Sequence, residues 1–304
     1  MSFQRVVEVV YLFEHRRCCA CLSYAHKEHL HTVAKVRSSS GVFNGIVNPP
    51  CTGYIRRPFA LGMGWFKHWF GTRYYSLLYG HRDDSDAQGW VVSIVQRWEL
   101  VPGNQVLDLA CGRGRHASGF AAAGMNVAGL DISEESIAQA RKAVPNAEFH
   151  VHDMREPFAV SRFDAVCCLF TSLGYFDDLN DDRAVFRAVF DALKPGGRFV
   201  IDFMNTALVL RDLVPHEQLT VDDVHFEISR SYENGVLVKR IRTNEHGRQE
   251  DFEERVQALM PEQLEEMAVG SGFVIEDRTD GPVLSPFDKS SSQRYVLWLI
   301  KPAT

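Results

Sequence analysis

The stretch Val106-Leu-Asp-Leu-Ala-Cys-Gly-Arg-Gly-Arg115 decides the fold of this chain. Its first four residues form an apolar strand that carries one acidic side chain, Asp108, and a small glycine-bearing turn follows at once. An alanine-rich helical segment then runs to Ala123 and ends before Gly124, the residue type favoured just past a helix. Strand, glycine turn and helix together are typical of a nucleotide-type pocket, because glycine has no Cβ and lets a ligand approach the backbone.

A second strand, Val127 to Leu130, ends in Asp131, which lies 23 residues after Asp108. That interval and position suit a carboxylate that binds ribose hydroxyls. The pattern Gly112-x-Gly114-x-x-Ala117 also matches the dinucleotide fingerprint, although such a match is weak when it stands alone. The glycine turn by itself therefore leaves two ligand classes open, a dinucleotide and another adenosyl compound.

Three further details favour a ligand that carries positive charge and no phosphate. Asp108 precedes the first glycine by four residues, where its carboxylate would repel the pyrophosphate of NAD. Asp153 follows a third strand, Phe149 to His152. The run from Leu193 to Asp202 contains a Pro-Gly-Gly turn that leads into a fifth strand.

With these features, residues 64 to 304 resemble the class I S-adenosylmethionine-dependent methyltransferases. The resemblance implies that Asp108 binds the amino-acid end of the cofactor, Asp131 the ribose and Asp153 the adenine amino group. A cationic sulfonium without phosphate suits a site with three carboxylates and no phosphate-binding lysine. Ala110 stands where the family usually has its first glycine, and its methyl group is tolerable if the residue keeps a negative φ. The cofactor contacts implied are Asp108, Ala110, Cys111, Gly112, Gly114, Asp131, Ile132, Asp153, Met154, Leu169 and Phe170.

The rest of the chain predicts an α/β fold with a doubly wound, mostly parallel seven-stranded sheet of the Rossmann-like kind. Ser133 is a suitable cap for a helix that stops before Pro145. The fourth strand, residues 163–169, is almost continuously apolar, as expected for a strand covered on both faces. A last helix over 262–269 and two strands, 273–278 and 295–300, would complete the sheet with an antiparallel edge.

A small antiparallel insertion is predicted at about 220–257. Three short strands at 225–231, 235–242 and 249–256 are separated by the turn signals Asn234-Gly235 and His246-Gly247. Because this meander lies between the fifth strand and the last helix, we expect it to cover the substrate pocket.

The first 62 residues differ from the remainder and are interpreted as a poorly ordered or non-native extension. Residues 1–60 hold eight Lys/Arg against three Glu and no Asp, a net of +5, so the rest of the chain carries −6 − 5 = −11. Functional translation would then begin near Met63. The cysteines and histidines of this segment do not have the paired spacing of zinc ligands, so no metal site is predicted. They are Cys18, Cys19, Cys21, His26, His29 and His31.

Residues 63–100 are predicted to form a lid and a helix ahead of a methyltransferase domain at 101–304. Val91, Ile94, Val95 and Trp98 recur at helical spacing. The candidates for lid or substrate contact are Tyr75, Tyr79, Arg82 and Tyr175, the last in a loop that would present the acceptor. A general base is needed only if the acceptor must lose a proton, and the sequence does not choose among His81, Tyr175 and His225.

Composition limits the function further. The formal charge of −6 disfavours nucleic acid as the main partner, and no run of 18 apolar residues predicts a membrane span. Seven cysteines without a regular framework are typical of the reducing cytoplasm. We expect methyl transfer to an O, N or C atom of a small molecule. Two alternatives remain, an NAD-dependent oxidoreductase and a cofactor-binding protein without activity, and the sequence leaves the oligomeric state open.

Overall fold

The computed structural model describes residues 69–80 and 84–303, and these contain two β-sheets. The strands are β1 (Gln105–Leu109), β2 (Asn126–Asp131), β3 (Glu148–Val151), β4 (Phe163–Cys168), β5 (Leu193–Met204), β6 (His216–Val221), β7 (Val224–Glu233), β8 (Val236–Glu245), β9 (Arg248–Gln257), β10 (Val274–Asp280), β11 (Ser285–Pro286) and β12 (Arg294–Ile300). The helices are α1 (Arg73–Leu78), α2 (Asp84–Trp98), α3 (Arg115–Ala122), α4 (Glu134–Ala143), α5 (Leu179–Ala192), α6 (Thr206–Arg211) and α7 (Pro261–Gly270).

The larger sheet has the order β11-β10-β12-β5-β4-β1-β2-β3. Strands β1 to β5 pair with one another in parallel, whereas β12 runs antiparallel to both β5 and β10. The predicted doubly wound, mostly parallel sheet with an antiparallel edge is therefore confirmed. The two-residue β11 adds an eighth strand that the sequence did not predict, because two residues carry no periodicity.

Local sequence signals explain the elements that position the carboxyl edge of this sheet. The Ser133 side chain accepts a hydrogen bond from the Ser136 backbone N–H and so caps α4. Gly124, just past α3, has a φ of 86°, which an L side chain rarely adopts. On α2, Val91, Ile94 and Trp98 are buried in the core, as their helical spacing predicted.

The second sheet is antiparallel and has four strands in the order β6-β7-β8-β9, not the three that the sequence predicted. The missed strand is β6, whose residues alternate between exposed and half-buried, so no apolar period marks it. Both predicted turns are present: Asn234 and Gly235 have φ values of 50° and 86°, and His246 and Gly247 have 49° and 87°. Two successive residues with positive φ match the turn geometry that tight hairpins favour.

The segment 69–80, which includes α1, is held against this second sheet by a buried polar cluster. Trp69 Nε1 donates to Glu254 Oε1 at 2.5 Å, and the Tyr79 hydroxyl donates to the same carboxylate at 2.8 Å. Lys239, which is 2% exposed, donates to the Tyr79 hydroxyl and lies 3.7 Å from Glu254 Oε2. Around the cluster, Phe226 and Phe252 belong to the same apolar core as Trp69. We call β6–β9 with segment 69–80 the roof.

Two of the sequence-based expectations lie outside the described residues. These are the N-terminal extension at 1–62, with its Cys18 to His31 set, and the His81-Arg82 pair. None of the helices in the described part of the chain combines the length and apolar composition needed to cross a bilayer.

Candidate active site

A cavity of about 340 Å³ opens at the carboxyl edge of the parallel sheet. Asp108 lies near the end of β1, Asp131 ends β2 and Asp153 comes two residues after β3. All three line this cavity, together with Phe170 from the segment after β4. The structure therefore brings together the three carboxylates that the sequence placed at neighbouring strand ends.

Asp108 is the most buried of these acids, with 1% of its surface exposed. Burial raises the pKa of its carboxyl to about 7, and the nearby Asp131 raises this pKa further, while the Ala117 backbone N–H and Arg115 lower it. The Ala117 N–H lies 3.2 Å from Asp108 Oδ2. An ionised Asp108 is therefore costly in the ligand-free protein, and a bound cation would offset that cost.

Asp131 is fixed by two backbone donors. The Gly112 N–H donates to its Oδ2 and the Ser133 N–H to its Oδ1, both at 2.8 Å. Burial raises the pKa of Asp131, and these backbone hydrogen bonds oppose that rise. Each carboxylate oxygen accepts more than one hydrogen bond, so a carboxylate held in this way still has acceptor capacity for hydroxyl groups of a ligand.

The glycine turn contains one residue in an unexpected conformation. Ala110 has a φ of 59°, so the condition of a negative φ is not met, and the turn holds an L side chain in the left-handed region. Gly112 has a φ of 53°, and a Cβ added there would meet no protein atom within 4 Å, as a surface approached by a ligand requires.

Gly114 is the one residue of the expected cofactor contacts that does not line the cavity. It is absent from the cavity lining, and a Cβ at this position would lie 3.2 Å from Ala140 Cβ and 3.3 Å from Phe149 Cζ. Gly114 is therefore required for the close packing of the turn against α4 and β3.

Asp153 is held by an arginine that sequence reasoning missed. Arg155 Nη2 lies 2.7 Å from Asp153 Oδ2, and Arg155 Nη1 lies 2.8 Å from Asp181 Oδ2 on α5. The guanidinium also lies 4.7 Å from the ring centroid of Phe176, which lines the cavity. Arg155 thus links the loop after β3 to α5 and fixes the orientation of Asp153.

The segment after β4 makes an unusual turn below the cavity. Phe170 and Thr171 have φ values of 58° and 56°, and the Phe170 N–H donates to Asp202 Oδ2 at 2.8 Å. Arg294 donates to Thr171 Oγ1 at 3.0 Å and to Asp202 Oδ1 at 2.6 Å. This buried ion pair supports two consecutive left-handed residues and so places Leu169 and Phe170 in the lining.

The following loop is held by Asp182, whose pKa burial raises to about 7. The Gly174 N–H donates to Asp182 Oδ1 at 3.0 Å, and Gln257 Nε2 donates to Asp182 Oδ2 at 3.1 Å. Gln257 also donates to the Phe176 carbonyl at 2.6 Å. These contacts join the end of β9 to the loop and direct Tyr175 and Phe176 toward the cavity.

Tyr75, Tyr79 and Tyr175 line the cavity as the sequence suggested, whereas His225 does not. His225 lies on β7 with its Nδ1 3.2 Å from Thr220 Oγ1, so it is not placed to serve as a base. Sequence reasoning missed many lining residues, because most of them lie in helices and loops. No short sequence pattern shows which way a side chain points at such positions. The missed residues are Phe70, Ser76, Gly80, Arg113, Arg115, His116, Leu130, Ser136, His152, Ser172 and Phe176.

His116 is the most distinctive of the missed residues. It directly follows the glycine turn on α3, and its ring stacks on Phe170 with 5.2 Å between centroids. Burial and Arg115 lower its pKa to about 3, so its imidazole is neutral at physiological pH. Its Nε2 is buried and has no hydrogen-bond partner. The one sequence signal that could have identified His116 was its position directly after the glycine turn.

Comparison with known proteins agrees with the fold. A family profile described as a methyltransferase domain matches residues 106–197. A dTDP-3-amino-3,4,6-trideoxy-alpha-D-glucopyranose N,N-dimethyltransferase of Streptomyces venezuelae is 33% identical over 129 residues, which is 42% of this chain and 54% of that protein. A dTDP-4-amino-2,3,4,6-tetradeoxy-D-glucose N,N-dimethyltransferase of Saccharopolyspora spinosa is 36% identical over 40% of this chain and 48% of its own length. The matched stretch thus spans about half the length of these relatives.

The solved structure of an S-adenosylmethionine-dependent methyltransferase from Clostridium acetobutylicum ATCC 824 resembles this chain with a TM-score of 0.66 at 21% identity. The match covers 75% of this chain and 96% of that one, which establishes the likeness of fold. Residues 106–197 thus match a methyltransferase domain, and the fold is similar to that of S-adenosylmethionine-dependent methyltransferases of known structure. The cofactor of this family is S-adenosylmethionine, as the resemblance in the sequence implied.

Proposed function

We propose that this protein transfers the methyl group of S-adenosylmethionine to a small-molecule acceptor. The observation that carries the proposal is the single cavity that collects Asp108, Asp131 and Asp153 from the ends of three adjacent parallel strands, beside an open glycine turn. When bound, the cofactor supplies an electrophilic methyl group on a cationic sulfonium.

The residues present fit such a ligand. Asp108 and the turn at Ala110 to Gly112 would bind its amino-acid end, with Arg115 as a candidate partner for the carboxylate. Asp131, already oriented by two backbone N–H groups, would accept hydrogen bonds from the ribose hydroxyls. Asp153 would accept from the adenine amino group. The apolar lining residues Cys111, Ile132, Met154, Leu169 and Phe170 would contact the remaining surface.

The chain would promote transfer mainly by alignment and by excluding water. Holding the acceptor in line with the methyl group is worth roughly 7–11 kcal/mol in well-oriented systems. Segment 69–80 and the loop that carries Tyr175 line the cavity and would supply that alignment. Of the two candidate bases within the described residues, Tyr175 lines the cavity and His225 does not, which supports Tyr175 for this role. His116, being neutral, would serve as a hydrogen-bonding group without adding charge.

A small acceptor is supported by the size of the cavity and by the relatives. About 340 Å³ lies within the range of small-molecule sites. The two relatives are named as N,N-dimethyltransferases of nucleotide-linked amino sugars. A cytoplasmic location is part of the proposal, and it is supported by the free thiols of Cys111, Cys167 and Cys168.

Titration calorimetry with S-adenosylmethionine, S-adenosylhomocysteine and NADH tests the cofactor assignment. We expect both adenosyl ligands to bind, NADH not to bind, and Asp108→Ala and Asp131→Ala each to weaken binding at least tenfold. Asp251→Ala, at an exposed position on β9, is the matched control and should change affinity less than twofold. Binding of NADH alone would overturn the proposal in favour of an oxidoreductase, and cofactor binding without turnover on varied acceptors would favour a protein without activity.

A further inference from the structure

His116 is a residue of the cavity wall whose Nε2 ring nitrogen is left without a partner by the protein. The side chain lies in the first turn of α3 and is 7% exposed. Its ring lines the cavity, and its Nε2 is buried and makes no hydrogen bond with any of the described residues. An unpaired buried polar atom costs free energy, so nearly all such atoms in proteins have a partner. A ligand bound in the cavity can supply the missing one.

The position of the His116 ring is set by its neighbour in the wall. The ring stacks on Phe170, with 5.2 Å between the centroids and 28° between the ring planes. Phe170 is itself anchored, because its backbone N–H donates to the buried Asp202 carboxylate at 2.8 Å. The ring nitrogen is thus placed by the fold before a ligand binds, and such preorganisation strengthens a contact and makes it selective.

The imidazole of His116 is neutral at physiological pH. Burial and the positive charge of Arg115 lower its pKa to about 3. A neutral imidazole carries one N–H group, and the proton can lie on Nε2. His116 can therefore donate a hydrogen bond without the cost of burying a second cation beside Arg115.

The surroundings of His116 favour a negatively charged partner. Arg115 lines the same cavity, and its guanidinium lies 5.7 Å from the centroid of the Phe170 ring on which His116 stacks. His116 also lies at the start of α3, where the backbone N–H groups of a helix give a partial positive charge. An anion at this place would interact favourably with all three groups.

A site for a cation lies directly beside this position. The N–H of Ala117, the residue after His116, lies 3.2 Å from Asp108 Oδ2. A ligand that satisfies both residues must present positive charge to Asp108 and negative charge to His116. The amino-acid end of S-adenosylmethionine has this chemistry, because its ammonium and carboxylate groups are bonded to the same carbon atom.

On the basis of the methyl transfer proposed above, we infer that His116 Nε2–H donates a hydrogen bond to the carboxylate of S-adenosylmethionine and so selects for ligands that retain this carboxylate. Asp108 binds the neighbouring ammonium group, so the two residues recognise the two charges of one zwitterion. Selectivity follows because a ligand without the carboxylate leaves the buried Nε2 unpaired.

The test compares S-adenosylhomocysteine with its decarboxylated analogue S-adenosyl-3-thiopropylamine, which keeps the amine and the adenosine. Both are titrated by calorimetry into the full-length protein and three variants. His116→Phe keeps a ring that can stack on Phe170 but removes the donor, whereas His116→Gln keeps a donor at a similar reach. His216→Phe, at an exposed position of β6 outside the cavity lining, is the matched control.

We expect His116→Phe to weaken the binding of S-adenosylhomocysteine at least about tenfold, because it removes a hydrogen bond to a charged group. The same variant should change the affinity for the decarboxylated analogue less than about twofold, since that ligand never made the contact. His116→Gln should bind S-adenosylhomocysteine more tightly than His116→Phe does, and His216→Phe should leave both affinities unchanged.

Two results from the folded variant would overturn the inference. An equal loss of affinity for both ligands in His116→Phe would show a purely structural role, and unchanged affinity for both would make the acceptor the partner of Nε2. A cooperative unfolding transition in the variant shows that it is folded. If neither adenosyl ligand bound the unsubstituted protein, the proposed function itself would fail, whereas the first two results leave it intact.

Histidine nitrogen NMR of the unsubstituted protein is a second readout that needs no substitution at the site. S-adenosylhomocysteine should shift the Nε2 signal of His116 and slow the exchange of its proton, and the decarboxylated analogue should not. A signal that responded alike to both ligands would contradict the inference even if His116→Phe failed to fold.

Discussion

Arg294 Nε lies 2.6 Å from Asp202 Oδ1, and this pair joins the antiparallel strand β12 to the end of β5 beneath the cavity. Asp202 also accepts from the Phe170 N–H, and Arg294 donates to the Thr171 hydroxyl. The ion pair therefore supports the left-handed turn that places Phe170 in the active site.

Arg294→Met should destabilise the protein strongly, because it leaves the buried Asp202 carboxylate without its cation. Loss of one partner of a buried ion pair costs roughly 3–5 kcal/mol. Urea unfolding measures the change. The double variant Arg294→Met/Asp202→Asn should recover much of the loss, and a cost below about 1 kcal/mol for the single variant would show that the pair does not support the turn.

Ala110→Gly should leave the free energy of unfolding unchanged or raise it. The left-handed conformation costs a residue with a Cβ roughly 1–2 kcal/mol, while the added freedom of glycine in the unfolded chain costs about 0.4–1 kcal/mol. Ala138→Gly, at an exposed position inside α4, is the control and should lose about 1 kcal/mol. If both variants lost the same amount in denaturant unfolding, the turn would not hold Ala110 at positive φ.

Glu254→Gln should detach segment 69–80 from the second sheet, because it removes the carboxylate that faces the buried Lys239 and binds Trp69 and Tyr79. We expect the free energy of unfolding to fall by roughly 3 kcal/mol and proteolysis within the segment to become faster. Glu227→Gln, at an exposed position of β7, is the control, and its free energy of unfolding should lie within about 0.5 kcal/mol of that of the unsubstituted protein. Equal proteolysis rates in the two variants would argue against the cluster as the attachment.

Asp108 should make both stability and cofactor binding depend on pH. Its folded pKa of about 7 lies above the ordinary value of 3.8, so its contribution to stability is present below about pH 4 and is lost as the pH rises through 7. Relative to Asp108→Asn, the protein should therefore lose up to about 4 kcal/mol over that window. Chemical unfolding at several pH values measures the difference between the two proteins.

The same group should release a proton when the cationic cofactor binds near pH 6.5, because positive charge favours the ionised carboxylate. Calorimetry in buffers of different ionisation enthalpy counts that proton. The release should be smaller with S-adenosylhomocysteine, which lacks the sulfonium charge, and should disappear in Asp108→Asn. Equal proton release from the protein and from Asp108→Asn would mean that another group titrates.

The sequence predicted the parts of the structure that have a local sequence signal, such as an apolar period or a capping residue. Strand ends, the glycine turn and the Ser133 cap are local signals, and the sheet order followed from them once the resemblance was stated. The fourth strand of the insertion was missed because β6 lies half-exposed at an edge and has no apolar alternation. The positive φ of Ala110 was not predicted, because an alanine in the sequence gives no signal for a left-handed backbone conformation.

The supporting contacts of the site could not be read from the sequence, because they join residues that are far apart along the chain. Arg294 reaches Asp202 across 92 positions, and Trp69 reaches Glu254 across 185. His225 was misplaced for the same reason, since a histidine in a strand has no pattern that shows which face it takes.

A crystal structure of the protein with S-adenosylhomocysteine tests the central claim most directly. The account predicts the ligand in the cavity at the carboxyl edge, with ribose hydroxyls within hydrogen-bond distance of Asp131 and the sulfur toward the loop that carries Tyr175. A ligand bound elsewhere, or one whose ribose makes no contact with Asp131, would contradict it.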